Sequence, residues 1–193
     1  MLSALIVGYE FQRLFNSIES ESIIATTGKL RAIPPISSPS SGRETIESQV
    51  LQCHSDGSWR EGWVGGIGFV FMKQGQLMAY RSARRTICSP LQAEAVALLE
   101  AIRYAIFKGW NQCLFCTDSQ LLASETMALK PPLEVDWRAF REINEIWASL
   151  KRNSGYICLY VPRCQNDLAD KLAKQGRIQG WDTHGYTFPI FNH

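Results

Sequence analysis

The chain has no run of apolar side chains approaching the roughly 18 to 20 residues needed to cross a bilayer. Met1 to Gly8 is apolar but short, has no basic start, and shows no small-residue cleavage site. It makes a poor secretory signal, so the reading is a soluble intracellular protein with no membrane partner. The six cysteines form no disulfide framework. Cys113 and Cys116 have metal-ligand spacing, but they lie in a strand-like stretch where residues three apart face opposite sides. Without a second such pair, buried free thiols are expected in place of a zinc site. The three histidines, His54, His184 and His193, have no ligand spacing. His54 shares a strand face with Asp56 two residues on and reads as structural. Charge is also scarce: a net +2 and a pI near 8.2 fall short of a strongly basic nucleic-acid-binding domain. No internal repeat is visible.

A hydrophobic content of 46% over 193 residues suits one domain with an appendage. Residues 1–48 are weakly patterned, with a proline- and serine-rich stretch at Ile33 to Gly42 and a short helix expected around Glu10 to Ile18. Residues 49–178 form the expected domain and 179–193 a tail. Val50 to Ser55 reads as a strand leading to Asp56 and a turn at Gly57 to Gly62. Residues 63–71 make a second strand, whose glycines imply close backbone approach or a bulge, and Gln76 to Ser82 a third. The period then switches. Ser89 and Pro90 start a helix with an apolar stripe that stops at Gly109. A strand from Cys113 to Thr117, helices at 119–128 and 136–150, a strand from Tyr156 to Val161 and a helix from Asn166 to Arg177 follow. Three strands in an antiparallel meander, then strands joined by helical crossovers, define a mixed α/β fold.

Two acids end strands: Asp56 and Asp118. If those strands are adjacent and parallel, both carboxylates emerge on one edge of the sheet. Glu94 and Asp170 each interrupt an apolar helix face, where a lone charge is costly. Asp170 has a simpler partner in Lys174 at i+4. Four acids on one edge repel one another unless cations neutralise them, and an all-oxygen set suits Mg²⁺ or Mn²⁺. Two such ions about 4 Å apart can activate water and stabilise a leaving oxygen.

The strings Asp56-Gly57-Ser58, Ala93-Glu94-Ala95, Thr117-Asp118-Ser119-Gln120 and Asn166-Asp167-Leu168-Ala169-Asp170 together resemble the type 1 ribonuclease H family. Ser89 to Glu94 and Val161 to Asp170 are most similar to the ribonuclease-H-like domains of plant non-LTR retrotransposon proteins. The resemblance implies a ribonuclease H-like fold with a five-stranded mixed sheet flanked by helices. It also implies cleavage of the RNA strand of an RNA–DNA hybrid by a monomer using two Mg²⁺ or Mn²⁺ ions. By that likeness Asp56, Glu94, Asp118 and Asp170 are the metal ligands, with Asp56 shared by both ions. Gly57, Ser58, Ser119, Gln120 and Asn166 are implied substrate or geometry residues. Two departures stand out. Tyr160 lies ten residues before Asp170, where active members often carry a histidine, and the stretch between Asp118 and Asp170 has no basic handle. Slower turnover follows, or a nucleic-acid-binding module with weak catalysis. A transposase or integrase would end in a glutamate on the last helix, and a purely structural domain has no need of acids at two strand ends.

Regional charge sharpens this reading. From residue 49 onward there are 16 Lys and Arg against 13 Asp and Glu, and four of the acids are the proposed ligands. Arg81, Arg84 and Arg85 cluster, with Arg84 and Arg85 as candidate substrate contacts. Lys171, Lys174 and Arg177 recur along the last helix, and both groups suit phosphates. Trp59 and Trp63 flank the first turn as candidate stacking residues.

Overall fold

The computed structural model describes residues 50–186. They belong to the second of two units into which the chain divides, Ser48–His193. The expected helix around Glu10 to Ile18 lies outside the described residues. Three strands come first, β1 (Gln52–Arg60), β2 (Val64–Lys73) and β3 (Gln76–Thr86), followed by α1 (Pro90–Phe107) and β4 (Cys113–Thr117). Then come α2 (Gln120–Met127), α3 (Phe140–Arg152), β5 (Tyr156–Tyr160), a 3-10 turn at Arg163–Gln165, α4 (Asp167–Gln179) and β6 (Thr183–Tyr186).

The sheet runs β5-β4-β1-β2-β3-β6. The meander is antiparallel, and β4 and β5 are parallel to β1, as the alternation of strands and helices requires. The strand count is six, not five. Thr183–Tyr186 of the tail pairs antiparallel with β3 from Ala79 to Ser82. The sequence hides this strand because it is only four residues long and carries one buried residue, Thr183.

A second correction concerns Asp56. The expected turn at Gly57 is absent, because β1 continues to Arg60 and Gly57 pairs with Ile67. The reversal comes at Glu61–Trp63, where Gly62 and Trp63 both take positive φ. β3 likewise runs past Ser82, so Arg84 and Arg85 lie within it.

Helices cover both faces. On one, α1 and α3 close a core built on Cys53, Phe69, Phe71, Leu98, Ile102, Phe115, Ile143 and Ile146. α1 starts where expected: Ser89 accepts a hydrogen bond from the Gln92 amide at 3.1 Å, and Pro90 fills the first turn without losing a needed N–H. On the other face α4 lies against the backbone of the meander. A Cβ at Gly66 would sit 2.1 Å from the Ala173 carbonyl oxygen, and one at Gly68 would sit 2.4 Å from the Ala173 amide. The glycines of β2 therefore mark close approach, as their sequence implied. Cys113 and Cys116 are both buried free thiols in β4. Among the described residues, no helix is long and apolar enough to cross a membrane.

Candidate metal centre

The site forms where β1 and β4 part. Their parallel ladder pairs Gln52 with Leu114, Cys53 with Phe115 and His54 with Cys116. Continued two positions further, the same register brings Asp56 level with Asp118. α1 supplies Glu94 because it crosses directly over Gly57. A Cβ at Gly57 would lie 2.1 Å from the Ala93 carbonyl carbon and 2.4 Å from the Glu94 amide. At this separation the Gly57 amide donates to Glu94 Oε2 at 3.3 Å. Gly57 thus serves the packing of α1 and the placement of Glu94, not a turn.

Asp56, Glu94 and Asp118 each offer an oxygen within 4.8 Å of the others. Asp56 is almost wholly buried. Burial, then the charges of Asp118 and Asp170 and a hydrogen bond with Asp118, push its carboxyl up to about 8, against a smaller opposing effect of Arg163. Burial, then the charges of Asp56 and Asp118, hold Glu94 well above the usual carboxylate range, opposed by the Gly57 amide and Arg163. Such groups bind a proton or a cation avidly, since either relieves the repulsion. Three clustered carboxylates with no soft donor fit a hard divalent ion such as Mg²⁺ or Mn²⁺.

Asp170, the fourth expected ligand, lies near enough to act on Asp56 but outside this trio. Lys174 Nζ holds its Oδ2 at 2.5 Å and Arg163 Nη2 lies 3.5 Å from its Oδ1. The i+4 ion pair and the approach to the acidic centre are both present. Asn166 is buried, and its Nδ2 donates to the Ser55 carbonyl at 3.0 Å and to Asp118 Oδ1 at 3.4 Å. It therefore ties the entry to α4 to both carboxylate-bearing strands. It precedes α4 without a side-chain cap bond.

The remaining expected residues are spread more widely. Ser119 caps α2, accepting from the Leu122 amide at 3.3 Å, while Gln120 is exposed beside it. Ser58 accepts from Arg177 Nε at 2.9 Å. Arg84 is exposed, whereas Arg85 is clamped to Glu100 by bonds of 2.6 and 2.8 Å. Trp59 donates its indole N–H to the Ile87 carbonyl and packs against the cluster of Ile67, Ala83, Ile87, Ala93 and Ala97, leaving Trp63, 65% exposed, as the free ring of that turn. Tyr160 pairs with Thr117, the neighbour of Asp118, at the end of β5.

One residue escaped the sequence reading. Arg163, whose side chain is 75% exposed, is the cation that favours ionisation of both Asp56 and Glu94. Its signal was its place in the Val161-Pro162-Arg163 string, seven residues before Asp170.

Solved structures share this architecture. Ribonuclease H1 from the archaeon Halobacterium salinarum is 24% identical, with a TM-score of 0.59, over 65% of this chain and 96% of its own. The N-terminal ribonuclease H domain of a Mycobacterium tuberculosis protein is 19% identical, with a TM-score of 0.60, over 68% and 96%. LC11-RNase H1, isolated from compost and solved in complex with an RNA/DNA hybrid, is 19% identical, with a TM-score of 0.58, over 67% and 97%. A comparison with curated protein sequences finds no match. The model of the reverse transcriptase-like family matches residues 54–176, which span all four carboxylates. The chain belongs to the reverse transcriptase-like family, and its described domain has the type 1 ribonuclease H fold.

Proposed function

We propose that this domain hydrolyses the RNA strand of RNA–DNA hybrids with two divalent ions, Mg²⁺ or Mn²⁺. The observation that carries this reading is the convergence of Asp56, Glu94 and Asp118 at the parting of β1 and β4. Their family membership and the hybrid bound to LC11-RNase H1 point the same way. Asp56, Glu94 and Asp118 would hold the ions, and Asp170 joins them if it exchanges its Lys174 contact for one. Bound ions of this kind lower the pKa of a water and offset charge on the leaving oxygen.

The chain's own residues do the rest. The Gly57 amide orients Glu94, Asn166 orients Asp118, and Arg163 brings a positive charge to the mouth of the site. Arg84 and Gln120 are exposed and available to a phosphate backbone; Gly57, Ser58, Ser119 and Arg85 support the contact surface from within. The protein acts as a monomer in this reading. Its likeness to plant retrotransposon domains rests on the strings Ser89 to Glu94 and Val161 to Asp170.

A labelled hybrid incubated with the protein and Mg²⁺ is the test. Cleavage that disappears in a folded Asp118→Asn variant is expected, and equal product from both proteins would defeat the proposal. A second reading, hybrid binding with weak catalysis, draws on Tyr160 in place of a histidine. It predicts salt-sensitive binding without turnover, and robust cleavage by the parent protein excludes it.

A further inference from the structure

The glycines of β2 decide which side chains of α4 come to the carboxylates. Asp56 pairs directly with Gly68, and Ser58 with Gly66. Directly paired residues share a sheet face, and α4 covers that face. A Cβ at Gly68 would sit 2.5 Å from the Ala169 carbonyl oxygen, and one at Gly66 would sit 2.3 Å from the Arg177 amide. Asp170, the next residue after Ala169, therefore leaves the helix beside Asp56. Arg177 leaves it beside Ser58, to which it donates at 2.9 Å. Lys174 stands between them, about one turn from each. These contacts are with main chain, so α4 has no room to slide. The reach of Asp170 is set by its side chain alone.

That side chain is fully engaged. Lys174 Nζ holds Oδ2 at 2.5 Å, and Arg163 Nη2 lies 3.5 Å from Oδ1. The Asp170 side chain is 13% exposed, whereas the other i+4 pair of the helix, Lys171 with Asp167 at 2.9 Å, has a half-exposed carboxylate. Asp56, Glu94 and Asp118 meet without Asp170. Each oxygen of Asp170 already has a cation, so Asp170 becomes a ligand only by giving one up. The Arg163 contact is at the limit of hydrogen bonding; Lys174 has the firm hold.

We infer that Lys174 is a positioning residue that holds Asp170 off the carboxylate trio, and so sets the divalent-ion concentration at which Asp170 becomes a ligand. It acts through Asp170 as an internal competitor. Its ammonium supplies the neutralising charge that an ion would bring, and it repels a second cation nearby. The inference rests on the ion site proposed above, but its test needs no cleavage.

Mn²⁺ titration of the full chain, with free ion read by electron paramagnetic resonance, gives the number of sites and their affinities. Lys174→Met keeps the length of the stem and removes the charge. The weaker site should tighten roughly two- to fivefold, the range in which a partly exposed ion pair acts. Lys174→Arg, which keeps the charge, should behave as the parent. Asp170→Asn should lose the weaker site, and adding Lys174→Met should then change nothing. Unchanged or weaker Mn²⁺ binding in Lys174→Met, with or without a lower Tm, would mark an ordinary helix pair and overturn the inference. A gain that persists beside Asp170→Asn would mark a general effect of surface charge and overturn it too. If the parent protein binds Mn²⁺ but cleaves nothing, the proposed activity fails while the titration still decides the role of Lys174. If it binds no Mn²⁺, both fail.

Discussion

Replacing Gly57 by alanine removes no functional group, yet it should damage both the fold and the site. The added Cβ would meet Ala93 C at 2.1 Å, Glu94 N at 2.4 Å and Ala93 O at 2.5 Å. All three are backbone atoms, so no rotamer change relieves the contact. Ordinary contact begins near 3.4 Å, and α1 must therefore back away from β1 by about 1 Å. That movement loosens Ala93 and Ala97 from Ile67 and Ala83. Overpacking of this kind costs about 1–3 kcal/mol, which lowers the Tm of a domain this size by roughly 3–10 °C. The same movement stretches the Gly57 amide bond to Glu94 and withdraws Glu94 from Asp56 and Asp118. Mn²⁺ affinity should then fall by roughly tenfold or more, as when a ligand's support is lost. Thermal melts with and without Mn²⁺, and titration of the ion, measure both effects. Adding Ala93→Gly should not rescue the variant, because the clash is with the main chain. A Gly57→Ala protein that melts within about 1 °C of the parent and binds Mn²⁺ equally well would refute the reasoning.

The raised carboxyls predict an unusual pH dependence. Native metal-free protein keeps the proton on Asp56 up to about 8, whereas the unfolded chain releases it near 3.8. The native state therefore binds more protons across that window, and stability falls as pH rises through it, by up to about 1.4 kcal/mol per pH unit. Asp56→Asn should melt higher than the parent at pH 8 without metal; saturating Mg²⁺ should remove most of the difference. Arg84→Ala should weaken hybrid binding and flatten its salt dependence, as expected of an exposed phosphate contact. Arg85→Ala should instead lower stability, by about 1 kcal/mol, because Arg81 still reaches Glu100 at 3.0 Å. Denaturant titrations and binding isotherms separate the two, and a matching loss of hybrid affinity in Arg85→Ala would contradict the assignment. Tyr160→His, beside Thr117 at the end of β5, should raise turnover and bring a pH–rate limb near neutrality; an unchanged pH profile would count against that role.

Much of this was open to reading in the sequence because the signals are local. Ser89 and Pro90 begin a helix through capping and a fixed φ, which need only neighbouring residues. The alternation of strand and helix patterns fixes the mixed sheet, and the ordered carboxylate strings carry the family resemblance. The misreadings came from tertiary contacts. Asp-Gly is a strong turn signal, yet at Asp56-Gly57 the glycine is required by a helix 37 residues away. Trp59, one of two candidate stacking residues, gives its indole N–H to the Ile87 carbonyl 28 residues away, a partner that local pattern does not reveal.

What the sequence determined by itself, then, is the order of the elements and the identity of the acids, since both follow from local pattern and side-chain chemistry. Only the tertiary structure decided which acids meet. Asp56, Glu94 and Asp118 converge because β1 and β4 are adjacent in register and α1 rests on Gly57. It also placed Asn166 between Ser55 and Asp118. Those relations depend on distances between residues far apart in the chain, and no spacing along the chain encodes them.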